Sequence, residues 1–135
     1  MKKIKKIAFI GIGLINSSLA RDLREKNFYQ KSSAYSRTKK TRNILKKLKI
    51  VDKVEDSYAN TVRDADLIVI GVPVEAFSSV IKKISNHLKQ GAIVTDVGSV
   101  KKSLIKISQK SLSKEVDFIP GHPIAGTENS GPESG

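Results

Sequence analysis

Short apolar segments alternate with helical stripes along this chain up to about residue 119. The segments that predict β-strands fall at residues 7–10, 33–36, around 54, 67–72, 92–97 and 116–119. Residues 7–10 form a continuous apolar run, which is typical of a parallel strand buried on both faces. We therefore expect the first strand to lie at the centre of a parallel sheet.

Apolar residues spaced three or four positions apart predict helices between the strands. These helices fall at residues 14–26, 38–48, 74–88 and 100–112, with a short one after residue 54. The side chains expected to face the core are Ile15, Leu19 and Leu23, then Ile44, Leu45 and Leu48, then Phe77, Val80, Ile81 and Ile84. We expect the third of these helices to begin at Pro73 and to stop at Gly91. The alternation predicts an α/β fold with right-handed crossovers and helices on both faces.

Length and composition limit what the chain can be. Its 135 residues, of which 39% are hydrophobic, suffice for one domain with a single core. No apolar run is long enough to span a bilayer, and the basic first residues lead into no cleavage site, so we predict a soluble cytoplasmic protein without a membrane partner. The absence of cysteine excludes disulfides, thiolate zinc sites and a cysteine nucleophile. With two histidines, we predict no metal site.

A formal charge of +12 raises the question of nucleic-acid binding. The lysines are scattered over nearly every element, and no aromatic residues interleave with them as a base-stacking surface requires. We therefore favour a solvated basic surface and expect no nucleic-acid partner. Attraction of anionic small molecules, or of a polyanion, stays open because both respond to a long-range positive field.

The first strand leads into the sequence Gly-Ile-Gly-Leu-Ile-Asn at residues 11–16. It matches the dinucleotide-binding arrangement G-x-G-x-x-G except at Asn16. Gly11 permits the tight turn, and Gly13 lets the backbone approach a pyrophosphate at the helix N-terminus, with Leu14 and Ile15 completing the loop. The position after a first strand and before a helix favours a dinucleotide site over an ordinary turn.

The end of the second strand bears on the choice between NAD and NADP. An NAD site usually has an acidic side chain there, to accept hydrogen bonds from the ribose 2′-hydroxyl. Here the chain has Ser36, Arg37 and Thr38, which can donate to a 2′-phosphate or stack on adenine. Nearby positive charge comes from Lys39, Lys40 and Arg42. We favour NADP, with NAD as the alternative if these residues are only part of a basic surface.

Four segments together resemble a known family. They are GIGLI at 11–15 with Ser18, GVPV at 71–74, DVGSVK at 96–101, and GHPIAGTE at 121–128 with Ser130 and Gly131. This set resembles the prephenate and arogenate dehydrogenases of tyrosine biosynthesis, and the likeness runs from end to end of the chain. The departures are Asn16 and Ser17, where the family often has two glycines, and Ser36, where an acid is absent.

The resemblance implies a Rossmann-type doubly wound sheet and the oxidative decarboxylation of prephenate with hydride transfer to NAD(P). It implies that His122 accepts the substrate hydroxyl proton and that Ser99 orients it, although Ser99 could instead cap the helix that follows. It also places Val72 and Pro73 at the cofactor. On the substrate side it implies a loop formed by Gly126, Thr127 and Glu128.

The family also adds a helical region that dimerises and contacts the substrate. We therefore expect residues 1–135 to be the NAD(P)-binding domain of a homodimer, cut in the loop after the sixth strand, and weakly active or inactive alone. Arogenate is the alternative substrate. A non-catalytic NAD(P)-binding module is a further alternative, since it would share the glycine loop without needing Ser99 and His122.

Overall fold

The computed structural model describes residues 4–11, 14–97, 106 and 109–119, with the backbone alone at 14–17. Within these residues the strands are β1 (Ile4–Ile10), β2 (Tyr29–Tyr35), β3 (Lys53–Val54), β4 (Leu67–Ile70), β5 (Ile93–Asp96) and β6 (Asp117–Ile119). All adjacent pairs run parallel. They form one sheet in the order β3-β2-β1-β4-β5-β6.

The helices connect these strands in the predicted alternation. They are α1 (Leu14–Glu25), α2 (Lys39–Leu48), α3 (Tyr58–Val62) and α4 (Val74–Ile84), followed by a 3₁₀ turn at Ser85–His87. The strand order runs outward from β1 to β3 and then restarts beside β1 with β4. This reversal is the feature of doubly wound sheets at which ligands bind. The predicted Rossmann-type fold is confirmed.

The sheet has a hydrophobic core on each of its two faces, and β1 contributes side chains to both. Ile7 and Phe9 pack into a cluster that includes residues of α1 and α2. Ala8 and Ile10 point to the other face and join a cluster with α3 and α4. Successive side chains of a strand alternate between its faces, so a strand covered on both sides must be apolar at every position. The continuous apolar run at residues 7–10 is thus explained, as predicted, by the burial of β1 on both faces.

β2 begins at Tyr29, well before the predicted residue 33. The sequence conceals the start of this strand because Gln30 and Lys31 are exposed and Ser32, although buried, is polar. Ser32 exchanges hydrogen bonds with Asp52, and the Ser33 hydroxyl donates to the Thr61 carbonyl at 2.7 Å. Buried hydroxyls are tolerated when they are hydrogen-bonded in this way.

Of the three α2 residues predicted to face the core, two are exposed, so this part of the prediction is wrong. Leu45 is buried, but Ile44 is 47% exposed and Leu48 is 51% exposed. α2 packs near the short strand β3, which lies at the end of the sheet. An edge strand of two residues offers little surface to cover, so a single apolar position makes the core contact.

The stripe predicted for α4 is confirmed, since Phe77, Val80, Ile81 and Ile84 are all buried. The helix ends earlier than predicted, however, and the chain continues as the 3₁₀ turn. The Ser85 hydroxyl donates to the Lys82 carbonyl at 3.1 Å, a local bond that competes with helical pairing. Gly91 lies beyond, in the loop before β5.

The helix predicted at 100–112 lies mostly outside the described residues. Of this range the structure describes residue 106 and residues 109–112. Residues 106 and 109–111 are helical, and residue 112 bends away from the helix.

In the part of the chain that the structure describes, no helix has the length and apolar character needed to cross a membrane.

Candidate functional site

A cleft of about 610 Å³ opens at the carboxyl ends of β1, β2 and β4. Five residues predicted for the cofactor line it: Gly11, Ser36, Arg37, Val72 and Pro73. The cleft therefore lies where the strand order reverses, between the two halves of the sheet. The structure brings Ser36, Arg37 and the first glycine of the motif to one place.

Other predicted site residues fall elsewhere. Gly13, Ser99, His122, Gly126, Thr127 and Glu128 lie outside the described residues. Leu14 and Ile15 are described through their backbone, which begins α1. Thr38 is described but is not among the residues that line the cleft.

Gly11 sits at the turn between β1 and α1, with a φ of +71°. Its N–H donates to the Tyr35 carbonyl at 2.8 Å, which fixes the end of β1 to the end of β2. A Cβ at Gly11 would collide with the Val72 side chain. Both the backbone conformation and the close approach of Val72 therefore require glycine.

The loop after β2 is held from behind by Arg42 of α2. One guanidinium nitrogen, Nη1, donates to the Ser36 carbonyl at 2.7 Å and to the Arg37 carbonyl at 3.1 Å. The same guanidinium lies 5.5 Å from the centre of the Tyr35 ring. Arg42 thus contacts the backbone of the two residues that line the cleft.

Thr38 is the N-cap of α2. Its hydroxyl accepts the Thr41 N–H at 3.3 Å and donates to the Thr41 hydroxyl at 2.9 Å. A capping hydroxyl of this kind stabilises the first turn of a helix by about 1 kcal/mol. The Thr38 side chain therefore has a structural task in the fold, apart from any ligand.

The aromatic wall of the cleft was not indicated by the sequence. Tyr35 and Tyr58 pack against each other, with ring centres 4.4 Å apart and planes at 46°. Lys83 of α4 lies 5.4 Å from the centre of the Tyr58 ring. Burial raises the pKa of the Tyr58 hydroxyl and the nearby Tyr35 raises it further, while Arg37 lowers it. Tyr58 stays neutral at physiological pH and presents an aromatic surface.

Helix α4 also lines the cleft, through Glu75, Ala76 and Val80. Val80 belongs to the predicted apolar stripe, but nothing in its spacing indicates that it borders a ligand cleft. Tyr58 comes from a weakly patterned segment, and only the placement of α3 beside β2 brings it here. The described walls combine apolar and aromatic surface, suited to binding a flat ring, with one arginine at Arg37 and one carboxylate at Glu75.

A second cavity, of about 370 Å³, lies towards the amino ends of β1, β2 and β3. Lys6, Lys31, Lys53 and Arg63 line it together with Glu55, Asn60 and Asp64. Lys6 Nζ donates to the Arg63 carbonyl at 2.6 Å, and Lys53 lies 3.7 Å from Glu55. These polar groups contact one another, so the cavity is a weaker candidate for a ligand site.

The sequence comparisons identify the family of the chain. The family described as prephenate dehydrogenase, nucleotide-binding domain, matches residues 19–135. The chain belongs to this family. Similar curated proteins include the cyclohexadienyl dehydrogenase of Zymomonas mobilis, 40% identical over 135 residues that make up 100% of this chain and 46% of that protein. The prephenate dehydrogenase of Lactococcus lactis is 36% identical over 95% of this chain and 36% of that protein.

Solved structures of a prephenate dehydrogenase and of an arogenate dehydrogenase agree with this assignment. The prephenate dehydrogenase of A. aeolicus in complex with hydroxyphenyl propionate and NAD+ has a TM-score of 0.79 at 32% identity, covering 92% of this chain and 43% of that one. The arogenate dehydrogenase of Synechocystis has a TM-score of 0.75 at 30% identity, covering 85% of this chain and 39% of that one. The chain spans less than half the length of each of these relatives.

Proposed function

We propose that the protein carrying this chain oxidises prephenate to 4-hydroxyphenylpyruvate in tyrosine biosynthesis, with NAD(P) as the acceptor. In this reaction hydride would pass from C4 of the substrate ring to the nicotinamide as the C4 hydroxyl gives its proton to a base. Loss of the ring carboxylate as carbon dioxide would then make the ring aromatic, and its oxygen would take a proton back. The observation that carries the proposal is the 40% identity, along the whole chain, to a cyclohexadienyl dehydrogenase. The cleft at the strand-order reversal supports it, because this is where Rossmann domains bind dinucleotides.

The described residues suit the adenosine half of the cofactor. The absence of a Cβ at Gly11 lets the Val72 side chain pack against the glycine turn, after which Gly13 and the start of α1 would receive the pyrophosphate. Ser36 and Arg37 would lie against the ribose. The adenine would rest between Tyr58 and the wall formed by Pro73 and α4, since flat rings stack favourably on aromatic and apolar surfaces.

We favour NADP over NAD. No carboxylate stands at residues 36–38, where an NAD site would place one. The Ser36 hydroxyl and the Arg37 guanidinium could both donate to a 2′-phosphate, and the exposed Lys39 and Lys40 add positive charge. Because the Thr38 hydroxyl caps α2, we assign Thr38 to the phosphate through its backbone N–H rather than its side chain.

For the chemical step we propose His122 as the base and Ser99 as its partner. β5 and β6 are adjacent and parallel, with Thr95 opposite Ile119. Ser99 and His122 each follow one of these strand ends after a short interval in the sequence. Neutral histidine has a reference pKa of about 6.5, so it can take the hydroxyl proton near neutral pH. Gly126, Thr127 and Glu128 would form the substrate side of the pocket.

A single set of assays separates this proposal from its two alternatives. The protein carrying this chain is assayed with prephenate and with arogenate, using NADP and NAD, beside a His122→Asn variant. We expect prephenate turnover with NADP and a loss of kcat of at least about a hundredfold in the variant, whose NADP affinity is unchanged. Turnover of arogenate alone would assign the arogenate reaction, which the likeness to the Synechocystis enzyme makes a specific alternative. Binding of NADP without turnover of either substrate would assign a non-catalytic module.

A further inference from the structure

Arg42 stands behind the proposed ribose site rather than in it. It does not line the cleft, yet it binds the carbonyls of Ser36 and Arg37, which do. We propose that Arg42 is a positioning residue for cofactor selection: it turns these two peptide groups so that their N–H sides face a 2′-phosphate. This inference rests on the proposed preference for NADP.

The planarity of the peptide bond determines where the donors of this loop point. In a trans peptide the carbonyl of one residue and the N–H of the next point in opposite directions, and no cis peptide is present among the described residues. Because Arg42 holds the Ser36 and Arg37 carbonyls, the N–H groups of Arg37 and Thr38 point away from Arg42. Neither N–H donates to a partner among the residues that the structure describes. Two neighbouring N–H groups that are free on the same side of a loop are available to donate to an anion.

Arginine is the side chain that this arrangement requires. One nitrogen of its guanidinium, Nη1, donates to both carbonyls, and the planar group lies over the Tyr35 ring, 5.5 Å from its centre. A lysine would keep the charge but not the planar guanidinium that contacts Tyr35. Charge near the site and orientation of the loop can therefore be separated by experiment.

The roles of the two neighbouring arginines differ accordingly. Arg37 is exposed at the cleft and would bind the phosphate through its side chain. Arg42 is half-buried, and its guanidinium contacts the backbone. Replacing Arg42 should therefore change the geometry of the loop that meets the phosphate, while every group that binds the phosphate directly stays in the protein.

The experiment measures binding of 2′,5′-ADP, 5′-ADP, NADP and NAD by calorimetry to the protein carrying this chain. The variants are Arg42→Lys and Arg42→Met, with Lys46→Met as the control. Lys46 is exposed on the same helix, so the control removes one charge from α2 without touching the loop. Circular dichroism and thermal unfolding of each variant establish that it is folded.

We expect both Arg42 variants to weaken 2′,5′-ADP and NADP by about tenfold, because the pair of backbone donors is no longer oriented. Binding of 5′-ADP and NAD should change less than about twofold, and the control should bind all four ligands like the wild type. In steady state, KM for NADP should rise while kcat stays unchanged. This split distinguishes positioning from a general loss of structure.

Three outcomes would overturn the inference. Wild-type selectivity in Arg42→Lys would show that charge alone matters. Equal loss of 5′-ADP and 2′,5′-ADP affinity would assign Arg42 a purely structural role. A wild-type protein that binds NAD as tightly as NADP would remove the NADP preference itself, and this result is distinct because it appears before any variant is compared. If Arg42→Met fails to fold, Arg42→Lys still decides the question.

Discussion

The carboxyl edge of the sheet, where the parallel strands end, and the amino edge, where they begin, differ in how their polar groups are hydrogen-bonded. At the amino edge, Asp66 accepts the backbone N–H groups of Lys5 and Lys6 at 2.9 and 3.1 Å and pairs with Lys89. At the carboxyl edge, the N–H groups of Arg37 and Thr38 have no partner among the described residues, and Arg42 contacts the backbone from behind. Hydrogen bonds at the amino edge therefore join neighbouring strands, whereas the carboxyl edge has backbone N–H donors available for a ligand.

This difference explains why net charge was a poor guide to function. The amino-edge cavity has more lysines and arginines than the carboxyl cleft, but Lys6 donates to a carbonyl, Lys53 pairs with a carboxylate and Arg63 donates to an amide oxygen of the fold. The described lining of the carboxyl cleft includes a single arginine. What favours ligand binding there is a pair of backbone donors beside a glycine turn, which composition cannot reveal.

The largest expected effect comes from replacing Gly11, at the carboxyl edge of the sheet. Gly11→Ala should weaken NADP binding by at least about a hundredfold, because its Cβ meets Val72 at the turn. The matched control is Gly91→Ala. Gly91 also has a positive φ, +87°, but no atom lies within 4 Å of a Cβ built there.

Both alanine variants should therefore lose about 1 kcal/mol of stability from the left-handed backbone alone. Only Gly11→Ala should lose further stability and binding. Calorimetry with NADP and chemical unfolding measure the two quantities separately. Similar NADP affinities in the two variants would contradict the assignment of the cleft.

At the amino edge, the next largest effect is expected from Asp66→Asn. Burial tends to raise the pKa of Asp66, but hydrogen bonds from Lys89 and from the backbone of Lys6 and Lys5 outweigh it and lower the pKa below 3.8. Removing the charge should cost about 2 kcal/mol of stability at neutral pH, with NADP binding unchanged. Asp64→Asn, an exposed neighbour, is the control.

The pH dependence gives a second readout for Asp66. A carboxyl group whose folded pKa is lowered contributes stability above its unfolded value of 3.8 and loses it as pH falls through the folded value. The difference in unfolding free energy between wild type and Asp66→Asn should thus be constant near neutrality and shrink below pH 3.8. A difference that persists undiminished in strong acid would mean that packing, not charge, is responsible.

A pair of arginines compares the two edges directly. Arg37→Ala should weaken NADP by about tenfold and NAD by less than about twofold, because it removes the charge-assisted hydrogen bond that we propose for the 2′-phosphate. Arg63→Ala removes the same charge at the amino-edge cavity, where its guanidinium donates to Asn60 at 3.2 Å. Equal effects of the two substitutions on NADP would show that only long-range charge matters, and titrations at two salt concentrations would reveal it.

The sequence predicted the fold well where burial alone determines the residue type. The apolar run of β1 and the stripe of α4 are dictated by core contacts on both sides of the sheet. The start of β2 was missed because Gln30 and Lys31 are exposed, while Ser32 is polar and buried against Asp52, a partner far away in sequence. Whether a buried hydroxyl finds a hydrogen-bond partner depends on the tertiary structure, and no local sequence pattern encodes it.

The candidate site likewise contains some residues that the sequence could predict and others that it could not. Gly11, Ser36 and Arg37 were predictable because a motif and a strand end place them at fixed intervals in sequence. Tyr58 joins them only because α3 packs beside β2. The contact of Arg42 with two carbonyls depends on a side-chain conformation, so the sequence could indicate its charge but not its partners.

The smallest expected effect lies in the amino-edge cavity, at the ion pair between Lys53 and Glu55. The two groups are 3.7 Å apart, and the Lys53 side chain is 74% exposed. Solvent screens such a pair, so Lys53→Gln should change the free energy of unfolding by at most about 0.5 kcal/mol. NADP affinity should also stay within about twofold of wild type. Chemical unfolding at low and high salt, with Lys31→Gln as an exposed lysine on the neighbouring strand for control, measures this. A loss above about 1 kcal/mol, or weaker NADP binding, would mean that the two edges are coupled through β2 and β3 rather than independent.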